Sequence, residues 1–148
     1  MPEASQTDPR VSGHVSTVLS ASLVSLIIGF AFHASAPMGI SEAETQRWYR
    51  LHEITFDALR IVGGLLVVAG LMLMSGRIAT LRWAGWSLVV FSLAMLAKGG
   101  VYAWESYAIG SFDIFAVVML ILAGIGFFEA RLMLCDYRAI VRDAAPPS

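Results

Sequence analysis

A single cysteine, Cys135, stands in 148 residues, which excludes an intramolecular disulfide, a cysteine-built zinc site and an iron–sulfur cluster. Charge is scarce as well. Asp, Glu, Lys and Arg together make up 14% of the chain, where ordinary soluble domains carry about 25%. The net charge of −1 and a pI near 6.3 give no basic surface, so nucleic acid is set aside as a partner. Neither a Ser-His-Asp arrangement nor an HExxH helix is present, so no enzymatic chemistry is expected. There is no internal repeat, and the one low-complexity piece is the short stretch 144–148.

What fills the chain is hydrocarbon. It is 57% hydrophobic with a mean hydropathy of +0.72, and its apolar residues gather into stretches 15–32, 54–74, 83–102 and 114–133. Each is close to the ~20 residues that a helix needs to cross ~30 Å of hydrocarbon. The expectation is an all-α integral membrane four-helix bundle with spans at about 15–33, 54–76, 83–103 and 113–133. Residues 1–14 and 134–148 are left as tails, and no second domain fits. Ala34-Ser35-Ala36 has the form a signal peptidase reads, but Pro37 follows it directly and the apolar run exceeds a usual signal core. The first stretch therefore reads as a retained helix.

Orientation follows from arginine. Arg10, Arg77, Arg82, Arg131, Arg138 and Arg142 fall in the tails and second loop, against Arg47 and Arg50 in the first loop. That bias predicts both termini in the cytoplasm, as in a bacterial inner (plasma) membrane. Trp83, Trp86 and Tyr137 would mark the inner interface, and Trp48, Tyr49, Trp104 and Tyr107 the outer one. The short second loop makes spans two and three antiparallel neighbours.

The first loop carries order of its own. Ser41-Glu42-Ala43-Glu44 is a capping-box pattern. It predicts an outer amphipathic helix that begins near Glu42 and runs through Trp48 and Leu51 into the second span. Because no Pro or Gly interrupts residues 42–62, the helix should project rather than bend near His52. Small residues offer close-packing faces: Ser22, Ser25 and Gly29 in span one, aligned with His33 near one face, Gly63, Gly64 and Gly70 in span two, and Ala123, Gly124, Gly126 and Ala130 in span four.

The costly residues sit toward the outer side. Asp57 and Arg60 lie in the first turns of span two, Lys98 near the outer end of span three, and Asp113 opens span four. Lys98, Tyr102 and Glu105 share one helical face, and Asp57 reaches Arg60 at i, i+3. A lone charge near mid-bilayer costs at least ~2.5 kcal/mol, so Lys98 must pair, snorkel or face water. One reading is a structural network, Lys98 with Asp57 or Glu105 and Arg60 with Asp113, that fixes helix register. The other is an outward-facing pocket for an ion, a proton or a small ligand, with Gly99-Gly100 permitting a kink that wets Lys98.

His33 and His52 end span one and begin span two at matching depth. Two neutral imidazoles on two helices would suit axial ligation of haem b, or a divalent metal supplemented by Glu53 or Met38. Three functions therefore stand side by side: an accessory or structural subunit of a larger, energy-transducing membrane complex, a haem b redox anchor, and a small transporter component. The subunit reading leads. It implies the lipid bilayer and larger membrane proteins as partners, with contact through residues 42–53 and lipid-facing aromatics such as Phe127 and Phe128.

Overall fold

A computed structural model describes residues 9–31, 41–110 and 112–143. The described chain is helical throughout its elements, with α1 (Pro9–Gly13), α2 (Val15–Ala31), α3 (Glu42–Leu73), α4 (Ile78–Ile109) and α5 (Ile114–Asp143), and no strand among the described residues. Four helices are long and apolar enough to cross a membrane: one running from α1 through α2, then α3, α4 and α5. The packing follows chain order, α2 on α3, α3 on α4 and α4 on α5, with α2 also reaching α4.

The helix ends are set by local chemistry. Ser41 Oγ accepts the Glu44 amide at 3.3 Å while Glu44 Oε2 accepts the Ser41 amide at 3.0 Å, the expected capping box. From there α3 runs unbroken for 32 residues, about 48 Å at 1.5 Å per residue. It ends in a turn over residues 74–77, where Gly76 takes a left-handed φ of 68° that a side chain would strain. Asp113 begins α5: its Oδ1 accepts the Phe115 amide at 2.8 Å, the geometry of an N-cap.

The helices outrun the apolar stretches. α4 starts five residues before Trp83, and α5 continues ten residues beyond Met133. Residues of the expected tails are thus built into the bundle. Val11 and Ile140 are buried, and His14 Nε2 lies 2.9 Å from Asp136 Oδ2. Single apolar residues at helical spacing continue a buried stripe after the surrounding sequence has turned polar, which a hydropathy window averages away.

The core between α3 and α4 is a seam of seven-residue spacing. On α3, His52, Leu59, Leu66 and Leu73 are all buried. On α4 two buried rows repeat with the same spacing, Leu81, Leu88 and Met95, and Ala84, Phe91 and Lys98. A heptad period places knobs into holes across a shallow left-handed crossing. The seam is hydrocarbon for most of its length and becomes polar only at the end bearing His52 and Lys98.

Between α2 and α3 the contact is closer. Ser22 Oγ donates to the Gly63 carbonyl at 2.9 Å and Ser25 Oγ to the Leu59 carbonyl at 2.7 Å. A Cβ on Gly63 would stand 2.7 Å from Leu26 Cγ and 3.3 Å from its amide nitrogen, so the missing side chain sets the distance between the helices. Gly64 and Gly124, also read as packing residues, face open space instead. Gly99-Gly100 does not break α4. A Cβ on Gly99 would stand 3.1 Å from Met119 Cβ, so this glycine admits α5 rather than forming a kink.

Candidate functional site: a buried Glu–His–Lys chain

Two helices build the polar end of the seam. Lys98, one turn before Tyr102 on α4, is fully buried, and His52 on α3 is 1% exposed. The Lys98 Nζ donates to His52 Nδ1 at 2.7 Å and to Thr55 Oγ1 at 3.2 Å. The ammonium nitrogen also lies over the face of Phe56, 3.5 Å from its ring centroid, with the Tyr102 ring at 4.9 Å. The ammonium therefore has two hydrogen-bond partners and an aromatic face within this chain.

The proton positions are assigned by taking Lys98 as the ammonium. An ammonium has only donors, so His52 Nδ1 accepts, and the neutral imidazole carries its hydrogen on Nε2. Nε2 in turn donates to Glu105 Oε1. The chain reads carboxylate, neutral imidazole, ammonium, with no net charge. Thr55 is fixed from behind, its hydroxyl donating to the His52 carbonyl at 2.9 Å. Trp48, one turn before His52, covers the imidazole with ring centroids 4.1 Å apart and planes at 31°.

The remaining polar residues are placed elsewhere. Asp57 does not reach Lys98; its Oδ1 accepts from Arg60 Nη1 at 2.6 Å. Arg60 does not reach Asp113 either, since its Nε donates to the Gly29 carbonyl at 2.7 Å and so ties α3 to α2. Asp113 caps α5 as described above. Tyr102 meets His52 edge-on at 5.4 Å between ring centroids. Of the six residues expected in one network, Lys98, Tyr102 and Glu105 come together, joined through His52, while Asp57 with Arg60 and Asp113 form separate contacts.

His33 and Met38 lie outside the described residues. His52 has both ring nitrogens engaged, so axial ligation of a haem would require it to release either Lys98 or Glu105. No group of three or more His, Cys, Asp or Glu side chains with metal-binding geometry occurs among the described residues.

Two donors beside the chain are buried without a hydrogen-bond partner: Trp48 Nε1, on the ring that covers His52, and Ser106 Oγ, next to Glu105. Thr55, Phe56 and the His14–Asp136 contact were not anticipated from sequence. Comparison with family models, curated proteins and solved structures returned no match. Fold and site together describe an all-helical four-helix bundle whose central seam ends in a buried, charge-balanced Glu–His–Lys chain.

Proposed function

We propose that this chain is a four-span integral membrane protein with both termini in the cytoplasm, and that it serves as a non-catalytic structural subunit of a larger membrane assembly. The bilayer reading is supported by four long apolar helices and by lipid-compatible side chains left exposed along them, such as Leu65, Val68, Leu93, Ile121 and Phe128. The orientation is supported by the distribution of arginine.

One observation carries the structural role: buried Lys98 is held by two hydrogen bonds and the face of Phe56, all within the chain. A carrier site needs a donor or acceptor left over for its cargo. Here the ammonium is neutralised through His52 by Glu105, and the group acts as a lock that sets α3 against α4. A closed network of this kind fixes register rather than moving charge. Contact with partners falls on the outer part of α3, where Tyr49 and Leu51 are exposed, and on Phe127 and Phe128 of α5.

Purification in a mild detergent tests this reading. The protein should co-elute with larger membrane proteins, and charge-reversing substitutions in the outer turns of α3, such as Arg50→Glu, should release them while the bundle stays folded. Elution as a lone species under every mild condition would sink the proposal.

A second reading draws on Trp48 Nε1 and Ser106 Oγ, the buried donors without partners. They favour an outward-opening polar site in which a small acceptor-bearing solute meets both N–H and O–H groups beside Glu105. Reconstituted vesicles decide between the two. Solute or proton flux abolished by Lys98→Met would support the site, and flux indifferent to it would support the lock.

A further inference from the structure

α2 packs on α3 and α5 on α4, and between α2 and α5 a groove of about 330 Å³ stays open to the side. Its lining is ordered by polarity. Ser16, Thr17 and Ser20 of α2 and Glu129 of α5 form one part, and Val24 and Leu122 belong to the apolar remainder. The contact between His14 and Asp136 places the polar part nearest the inner ends of both helices. Val24 lies eight residues beyond Ser16 and Leu122 seven before Glu129, so the apolar part reaches roughly 10–12 Å deeper toward the bilayer centre.

Nothing among the described residues answers the polar groups. Glu129 has no ion-pair partner among the described residues, and no basic side chain lines the groove. The hydroxyls of Ser16, Thr17 and Ser20 also make no hydrogen bond within the described chain. That contrasts with Ser87 and Ser92, which bond back to carbonyls of their own helix at 2.9 Å. An unanswered carboxylate beside free hydroxyls at membrane depth is expensive unless something cationic and hydrogen-bonding occupies the site.

The order of the lining limits the occupant. Hydroxyls and a carboxylate near the helix ends, with hydrocarbon deeper in, match a single lipid, of which a groove of about 330 Å³ seats only a part while the rest stays in the bilayer.

We propose that the α2–α5 groove binds one phospholipid of the cytoplasmic leaflet whose headgroup carries a free ammonium. The ammonium meets the Glu129 carboxylate. The hydroxyls of Ser16, Thr17 and Ser20 donate to phosphate or ester oxygens, and the first part of an acyl chain lies along Val24 and Leu122. The inference rests on the membrane reading above and adds a chemical class of ligand to it.

The test is native mass spectrometry of the full chain in mild detergent, offered equal amounts of phosphatidylethanolamine and phosphatidylglycerol with identical acyl chains. Wild type should retain one phosphatidylethanolamine in preference. Glu129→Gln should retain about tenfold less of it, the loss expected for one charge-assisted hydrogen bond. Val24→Trp, which fills the apolar part and leaves Glu129 in place, should reduce retention of both lipids. Equal retention of the two lipids by wild type, or unchanged retention by Glu129→Gln, would overturn the proposal. So would a second copy of the chain, or another protein, covering the groove in place of lipid. Release of the protein from membranes by alkaline carbonate would instead remove the membrane reading and this inference with it.

Discussion

Lys98 of α4 and His52 of α3 meet across the helix seam with Nζ 2.7 Å from Nδ1, each almost wholly buried. The pair sits where the heptad stripe His52, Leu59, Leu66 and Leu73 would otherwise take another leucine. An ammonium in such a position is tolerable because its charge is passed through a neutral imidazole to Glu105 and so never stands alone.

Removing one end of that chain should cost more than removing both. Lys98→Met leaves a carboxylate and an imidazole without their counter-charge, and should destabilise the bundle by about 3 kcal/mol. Lys98→Met combined with Glu105→Gln leaves a neutral pair and should recover more than half of the loss. Unfolding in mixed micelles by increasing SDS, run as a double-mutant cycle, measures the coupling. Additive losses would show that the two ends do not communicate through His52.

His52 acts as acceptor on one side and donor on the other, and a glutamine amide can do both. His52→Gln should therefore retain more stability than His52→Leu, by about 1 kcal/mol. An axial haem ligand would behave differently, because both substitutions remove the imidazole equally. Unfolding midpoints of the two variants, read beside absorption spectra with haemin added to each and to wild type, separate the roles. A Soret shift present in wild type and lost in both variants would favour the haem reading over the lock.

Much of this was legible in the chain. Ser41 and Glu44 declare the start of α3 because a capping box is local, needing only residues three apart. Lys98, Tyr102 and Glu105 fall on one face by helical period alone. The α3 partner of Lys98 is His52 and not the Asp57 that the sequence suggests, because His52 stands just outside the apolar run and its depth there suggests a haem or metal ligand rather than a partner for lysine. Two signals did point to it. The stripe His52, Leu59, Leu66, Leu73 has heptad spacing. The turn also fixes the level: Lys98 stands twenty residues past Ile78, and twenty residues back from Leu73 is Glu53, adjacent to His52. Asp57 lies a turn too far along α3 to share that level, which is why it pairs with Arg60 instead. The burial of Val11 and Ile140 was hidden for another reason: isolated apolar residues among charged ones carry no signal until the opposing helix is known.

Adjacent glycines on α3 should respond oppositely to the same substitution. Gly63→Ala sets a methyl 2.7 Å from Leu26 Cγ and 3.3 Å from its backbone nitrogen. It should push α2 away, weaken the Ser22 bond to the Gly63 carbonyl and cost about 1–3 kcal/mol. Gly64→Ala meets nothing within 4 Å and should be neutral or stabilising by up to about 1 kcal/mol through helix propensity. The comparison, by the same micellar unfolding, tests the close approach of α2 to α3 at Gly63. Equal losses at both positions would mean the face of α3 is rotated.

The lone cysteine supplies the test of orientation. Cys135 lies on α5 one residue before Asp136, is exposed, and stands beside the end of the bundle bearing the His14–Asp136 contact. In the proposed orientation that end faces the cytoplasm. A membrane-impermeant maleimide should then label wild type in inverted vesicles and leave it unlabelled in right-side-out ones. In a Cys135→Ser background, a cysteine introduced by Gln46→Cys, on the exposed outer part of α3, should give the reverse pattern. The two sites lie at opposite ends of the same bundle, so their accessibilities must invert together. Labelling of both from one side would break the four-crossing topology. Inversion with the sides exchanged would keep the topology but turn the Glu–His–Lys chain toward the cytoplasm and the Glu129 groove toward the outer leaflet.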